Sequence, residues 1–384
     1  MTVYYLYFFA LWALAFLEFF TNKKNIYLFS LFIFFIFLAL RLDTGYDWPV
    51  YKEVFNHIPE LSSYSDAIKT SSEFGKEIGF VYFLSILKTI TNDFQIIIIV
   101  VSIIESYAIY KFLILTSKSP SAVLAVVGTW LLFTLYFSVL RQGLAVSFFL
   151  LFFTYMHHQY YWRSFLMLLL SLSVQVSSLS YYFLYWLSAI KLKKKTILYI
   201  FLLSIIIAFF SKHVSYALFF ILQNSGIPIL AQKAAWYIQG IQAGANIFDI
   251  IFVYLYSISM FFFLYMTWDI YKSKLWIRIS FFAVVFIFIQ LIFIDYPLIR
   301  NRVQYVSFMM QFILLVNYFY NRQVYLKAIA FILLLITVFA YYYLMLNRTY
   351  GVVFIPYQDI ISHKIFDYEN TGDDRQEIMF SYIE

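Results

Sequence analysis

Ile26-Tyr-Leu-Phe-Ser-Leu-Phe-Ile-Phe-Phe-Ile-Phe-Leu-Ala-Leu40 runs directly into Arg41-Leu-Asp-Thr-Gly-Tyr-Asp-Trp-Pro-Val-Tyr-Lys52. The first segment holds no charge. The second packs cations, carboxylates, a glycine, a tryptophan and tyrosines into one short stretch. An uncharged apolar helix that opens onto such a cluster reads as a membrane span with a functional mouth.

Composition extends that reading to the whole chain. The 384 residues are 64% hydrophobic, 24% aromatic and 12% charged. A soluble domain carries about twice that charge. The chain is therefore read as all-α, a polytopic integral membrane protein. There is no cysteine, which excludes disulfides and thiol catalysis. Residues 3–20 lack a basic start and an Ala-x-Ala site and are not expected to be a cleaved signal; Lys23-Lys24 follow them and suggest that the N-terminus lies outside.

Apolar runs recur at 3–20, 26–42, 94–116, 121–139, 142–157, 163–190, 196–211, 247–268, 278–294, 302–320 and 325–345. The short links between them carry Lys23-Lys24, Lys118, Arg163, Lys191 to Lys195, Lys272 to Arg278, and Arg322 with Lys327. If all these links are cytoplasmic, two parity conditions follow. Ile78 to Ile90 must not span, and reads as a short external interfacial or re-entrant helix. The run 163–190 must break in two near Gln175, within the polar Ser171-Leu-Ser-Val-Gln-Val-Ser-Ser-Leu-Ser180. The count is then about twelve transmembrane helices, with both termini outside. Residues 1–345 form one helical domain with external loops 43–93 and 212–246. Residues 346–384 form an external tail whose end, Asn370 to Glu384, reads as mobile and acidic.

This topology gathers polar residues on the outer face. Arg41, Arg141, Arg300 and Arg302 sit at external helix ends, where guanidinium groups and helix N-termini favour an anion such as a lipid pyrophosphate. The plain alternative is arginines snorkelling to headgroups. Arg141 is distinguished by the Gln142-Gly143 that follows, because Gly143 permits close approach. Asp43 and Asp47 are candidates for a general base or for binding sugar hydroxyls; the alternative is salt bridges with Arg41 or Lys52. Trp48 and Tyr51 could stack on a sugar or belong to the interfacial aromatic belt. Glu18 and Glu105, inside spans, could be proton-relay groups; the preferred reading is that they pair with buried partners or sit nearer an interface. His157-His158 reads as a solvated turn. No zinc pattern, Walker A loop, hydrolase elbow or dinucleotide fingerprint is present, and no cofactor, metal or nucleic-acid partner is expected.

Several motifs, in order along the chain, resemble one family. Arg41-x-Asp-x-Gly-x-Asp-Trp-x-x-Tyr51 resembles the helix exit of EpsG-type polysaccharide polymerases, relatives of the Wzy O-antigen and capsule polymerases. Glu77-Ile-Gly-Phe80 is similar to the segment before their non-spanning helix. Leu140-Arg-Gln-Gly-Leu-Ala145 is similar to their Arg-Gln helix start, and Ser173-Val-Gln-Val-Ser-Ser-Leu179 to their His-x-Ser turn. Arg302-x-x-Tyr305 and Ile355-Pro-Tyr357 resemble late elements. Where the family usually has His, this chain has Gln175, which cannot act as a general base.

The resemblance implies glycosyl transfer on the outer face of a bacterial cytoplasmic membrane, between a polyprenyl-pyrophosphate-linked glycan donor and a lipid-linked acceptor. Asp47 and Asp43 would serve as base and Arg141 would stabilise the leaving pyrophosphate. Arg41, Trp48, Tyr51, Gln142, Gln175, Arg300, Arg302 and Tyr357 would bind substrate. A chain-length regulator and a flippase are implied partners, besides the bilayer. The competing classes are a flippase, for which related halves would be expected and none is visible, and an O-antigen ligase.

Overall fold

The computed structural model describes residues 1–60, 64–224, 247–270, 272–361 and 372–381. Among them the structure is all-helical, with no strands. The helices are α1 (Thr2–Thr21), α2 (Ile26–Ala39), α3 (Trp48–His57), α4 (Tyr64–Glu73), α5 (Ile78–Lys88), α6 (Phe94–Thr116), α7 (Pro120–Trp130), α8 (Leu140–His157), α9 (Tyr161–Val174), α10 (Leu179–Leu187), α11 (Lys194–Phe209), α12 (Ser211–Gln223), α13 (Ile247–Thr267), α14 (Lys274–Ile292), α15 (Pro297–Tyr320), α16 (Val324–Asn347) and α17 (Gly372–Ser381).

Five helices among the described residues are long and apolar enough to cross a membrane, or six if the bent pair α11–α12 counts as one span. This is fewer than the sequence reading expects, because several apolar runs are broken or short. The run 26–42 gives a helix of 14 residues. The run 121–139 divides into α7 and a π-helical turn, Leu132–Tyr136. The run 163–190 breaks where expected. Gln175 ends α9 in an extended conformation, and a 3-10 turn, Val176–Ser178, leads to α10. The loop 212–246, expected to be external, is described only to residue 224 and is helical as far as Gln223.

Packing divides the chain into two compact units, Met1–Leu179 with Phe312–Glu384, and Ser180–Gln311. The tail belongs with the N-terminal helices because it is built into their packing. The backbone at Leu42 and Ile360 bonds to Gln358 and Leu40, so the segment after Pro356 lies antiparallel to the exit of α2. Helix α17 then anchors through Arg375, 1% exposed, which donates to the carbonyls of Pro356 and Asp43 and to Gln358. The described part of the supposed mobile end is thus a docked helix.

In this first unit, α7 begins with Pro120 at a position that needs no backbone donor. Its N-terminus is capped from α1: Glu18 accepts from Ser119 Oγ at 3.0 Å and from the Ser121 N–H at 2.6 Å. Glu18 therefore has the buried partners expected of it. Glu105 does not; neither carboxyl oxygen has a hydrogen-bond partner among the described residues.

Helix α5 has 11 residues and rises about 16 Å, half the hydrocarbon thickness. It packs into an apolar cluster instead. Phe80, Val81 and Leu84 meet Trp48, Tyr51, Val54 and Phe55 of α3, with Phe94, Ile97 and Ile98 of α6 and Leu140 and Leu144 of α8. This cluster fixes α3 and α5 over the first turns of α6 and α8. In the second unit, Phe201 stacks on Phe261 at 3.7 Å, and Tyr256 donates to Gln311, which donates to the Ala283 carbonyl.

Candidate functional site

Four segments of the first unit bring polar groups to one place. The first is the start of α3, where Asp47 is the N-cap residue and Tyr51 follows one turn later. The second is the turn before α5. Gly75 there holds φ +59, a conformation that favours glycine, and Lys76 and Glu77 follow. The third is the first turn of α8, with Arg141 and Gln142. The fourth is the break at Gln175–Ser178.

Arg141 is the hub. It forms an ion pair with Glu77 Oε2, and the side chains are 16% and 10% exposed. It also bonds to Tyr51 and lies over the Phe80 ring at 6.0 Å. Tyr51 donates to Asp47 Oδ2 at 3.3 Å. Burial, first, and then the Asp47 carboxylate push the Tyr51 phenol well above its usual range, with Arg141 opposing; the hydroxyl is a donor at any physiological pH. Lys76 Nζ sits over the Tyr51 ring at 5.6 Å. On the other side, Glu77 Oε1 accepts from the Val176 N–H at 3.4 Å. Gln175 Nε2 donates to Ser177 Oγ at 3.1 Å, and Ser177 donates to Gln142 Oε1 at 3.5 Å. No side chain caps the N-terminus of α8, so its first-turn dipole faces this cluster uncompensated.

Two glycines make the convergence possible. A Cβ on Gly79 would lie 2.4 Å from Ser173 Cβ, so α5 docks against the end of α9 only through glycine. A Cβ on Gly143 would lie 2.1 Å from Glu105 Oε1. The close approach expected at Gly143 is therefore made by α6.

A model of the EpsG family matches residues 3–359. The chain belongs to the EpsG family. No curated protein and no solved structure matches it. Membership makes this a membrane protein of polysaccharide-polymerase type. Every residue of the cluster lies inside the matched part, whereas α17 lies beyond it.

In this EpsG-family chain, Asp47, Tyr51, Arg141, Gln142 and Gln175 come together as candidates. The other candidates are placed elsewhere. Arg41 is 1% exposed and turned inward; it donates to the Tyr136 carbonyl and lies over Phe137 at 4.7 Å. It completes the backbone bonding of the π-helical turn, so its expected role at an external anion site is not what its geometry offers. Trp48, 3% exposed, meets Phe94 edge-on inside the apolar cluster and presents no ring face for a sugar. The Tyr51 ring is equally buried; only its hydroxyl joins the site. Asp43 pairs with Lys52 at 3.6 Å, the plainer of its two readings. Tyr357 stacks on Phe37 at 4.5 Å and donates to the Phe37 carbonyl, as a structural group. Arg300 lies in the first turn of α15, in the second unit; the side chain of Arg302 lies outside the described residues.

Glu77 is the site residue that the residue-by-residue reading missed. An acid in a long loop has no periodicity to mark it, and its partner Arg141 is remote in sequence. The available signal was its position just before a non-spanning apolar helix. Among the described residues no cluster of His, Asp and Glu could hold a metal ion.

Proposed function

We propose that this protein joins polyprenyl-pyrophosphate-linked oligosaccharide repeat units into a surface polysaccharide, on the outer face of a bacterial cytoplasmic membrane. The observation that carries the reading is Arg141. It is a cation at an uncapped helix N-terminus, flanked by Glu77, Tyr51 and Asp47 in a helical membrane protein of this family.

In the reaction, a hydroxyl oxygen of the acceptor unit attacks the anomeric carbon of the donor glycan. The bond from that carbon to the pyrophosphate oxygen breaks, and the polyprenyl pyrophosphate leaves with the bonding electrons. Charge develops on the leaving phosphate, where Arg141 and the first-turn N–H groups of α8 stabilise it. The hydroxyl proton passes to Asp47, which Tyr51 orients by its hydrogen bond. Gln175, Ser177 and Gln142 form a neutral donor–acceptor chain suited to sugar hydroxyls. The activated donor supplies the driving force, so no nucleotide site is required. Arg300 and Arg302 remain proposed contacts for a substrate phosphate, and about twelve crossings remain the proposed topology.

The test is the glycan profile of a deletion strain complemented with wild type, Arg141→Ala or Asp47→Asn. A ladder with wild type, and single repeat units with well-expressed variants, would support the reading. Repeat units trapped inside the deletion strain would instead indicate a flippase.

A further inference from the structure

The Glu77 carboxylate is held as a bound anion would be. One oxygen faces the Arg141 guanidinium and the other accepts the Val176 N–H. A guanidinium and a backbone amide converging on two oxygens of one group form a phosphate-binding arrangement. Val176 is 57% exposed, so the amide lies at the protein surface, and Lys76 adds a second cation beside the cluster. The acid itself belongs to the short turn between Gly75 and Gly79, and its own backbone is extended, with φ −65 and ψ 139. Rotation of its side chain alone would vacate the site.

We infer that Arg141 and the Val176 N–H form a phosphate-oxyanion site which Glu77 fills in the resting protein, and that a substrate pyrophosphate enters by displacing that carboxylate. This inference rests on the proposed polymerase reading for the identity of the substrate. Glu77 thus tunes the site. It keeps Arg141 oriented in the absence of substrate, and it sets a competition that an anion must win. A group with at least two oxygens can replace both of its contacts at once, and the higher charge of pyrophosphate favours it over a monovalent anion. After displacement the Glu77 carboxylate is repelled by the incoming charge, so release of the product is assisted by its return.

The experiment is binding of inorganic pyrophosphate to the purified full-length protein in detergent, by calorimetry. Glu77→Gln keeps the shape and removes the competing charge, and it should tighten binding about tenfold relative to wild type. Adding Arg141→Ala to Glu77→Gln should abolish that gain. Val176→Pro provides an independent variant. Residue 176 opens a 3-10 turn after an extended residue, so proline fits the backbone while removing the N–H. In the Glu77→Gln background it should weaken binding. Unchanged pyrophosphate binding in Glu77→Gln, or an undiminished affinity after Val176→Pro, would overturn the inference. Repeating the titration in nanodiscs with and without phosphatidylglycerol separates the sources. Loss of pyrophosphate binding only with the anionic lipid would show that a lipid headgroup, and not Glu77 alone, competes for the oxyanion site, and would overturn Glu77 as its resting occupant. The glycan ladder reports separately. Tighter binding in Glu77→Gln with an intact ladder in Arg141→Ala would keep the anion site and remove Arg141 from the proposed polymerase chemistry. The reverse pattern would keep the reading and remove the site.

Discussion

Two carboxylates in one short loop, Asp43 and Asp47, meet different fates, and the difference is testable. Asp47 accepts from a buried Tyr51 that also touches Arg141, whereas Asp43 pairs with a half-exposed Lys52. Asp47→Asn should lower polymerisation about 10²- to 10⁴-fold, the usual worth of a positioned base, with expression unchanged. Asp43→Asn should leave the ladder intact and cost under about 1 kcal/mol, because exposed pairs contribute little; thermal melts in detergent would check it. Gly45 makes a third prediction at this scale. It holds φ +121, and a Cβ there would lie 2.1 Å from the Phe137 carbonyl oxygen. Gly45→Ala should lower the melting temperature, with strain on the order of 1–3 kcal/mol. The sequence made Asp47, Arg141 and Gln175 visible because charges and amides are conspicuous at the ends of apolar runs. For the same reason Arg41 and Trp48 read as surface groups, although both are buried. A charge or an indole at a helix mouth reads as surface, and only the tertiary packing shows the guanidinium bonding to Tyr136 and the ring packed against Phe94.

At the scale of elements, the shortness of α5 and the break at Gln175 were legible, because Ile78 to Ile90 is a short apolar run and a polar stretch interrupts residues 163–190. The interruption between α7 and α8 was not. Residues 121–139 carry no charge, and no proline or glycine marks the π-helical turn at Leu132–Tyr136. Nor was the docking of α17, where adjacent acids Asp373 and Asp374 suggest solvent and conceal the buried Arg375. That arginine satisfies carbonyls of Pro356 and Asp43, so removing it leaves buried acceptors unpaired. Arg375→Ala should release α17, at about 1–3 kcal/mol for each unsatisfied acceptor. Limited proteolysis should then cut after residue 359 far faster than in wild type, and equal rates would show that the tail is held by other contacts.

For the whole molecule, composition alone gave an all-helical membrane protein, and the short, broken helices explain why fewer than the expected number pass as spans by length. Orientation is open to direct test, since the chain has no native cysteine. Ser72→Cys, on the exposed face of α4, should react with an impermeant thiol reagent in intact spheroplasts, and Ser273→Cys should not. The opposite pattern would place the Arg141 cluster on the inner face. The central claim is that this chain itself forms the glycosidic bond at that cluster. The most direct measurement incubates the purified protein, in detergent, with a polyprenyl-pyrophosphate-linked repeat unit and resolves the products by size. The account predicts dimers and longer oligomers from wild type, with none from Arg141→Ala or Asp47→Asn. Unchanged repeat units with folded wild-type protein, or oligomers undiminished in both variants, would contradict it.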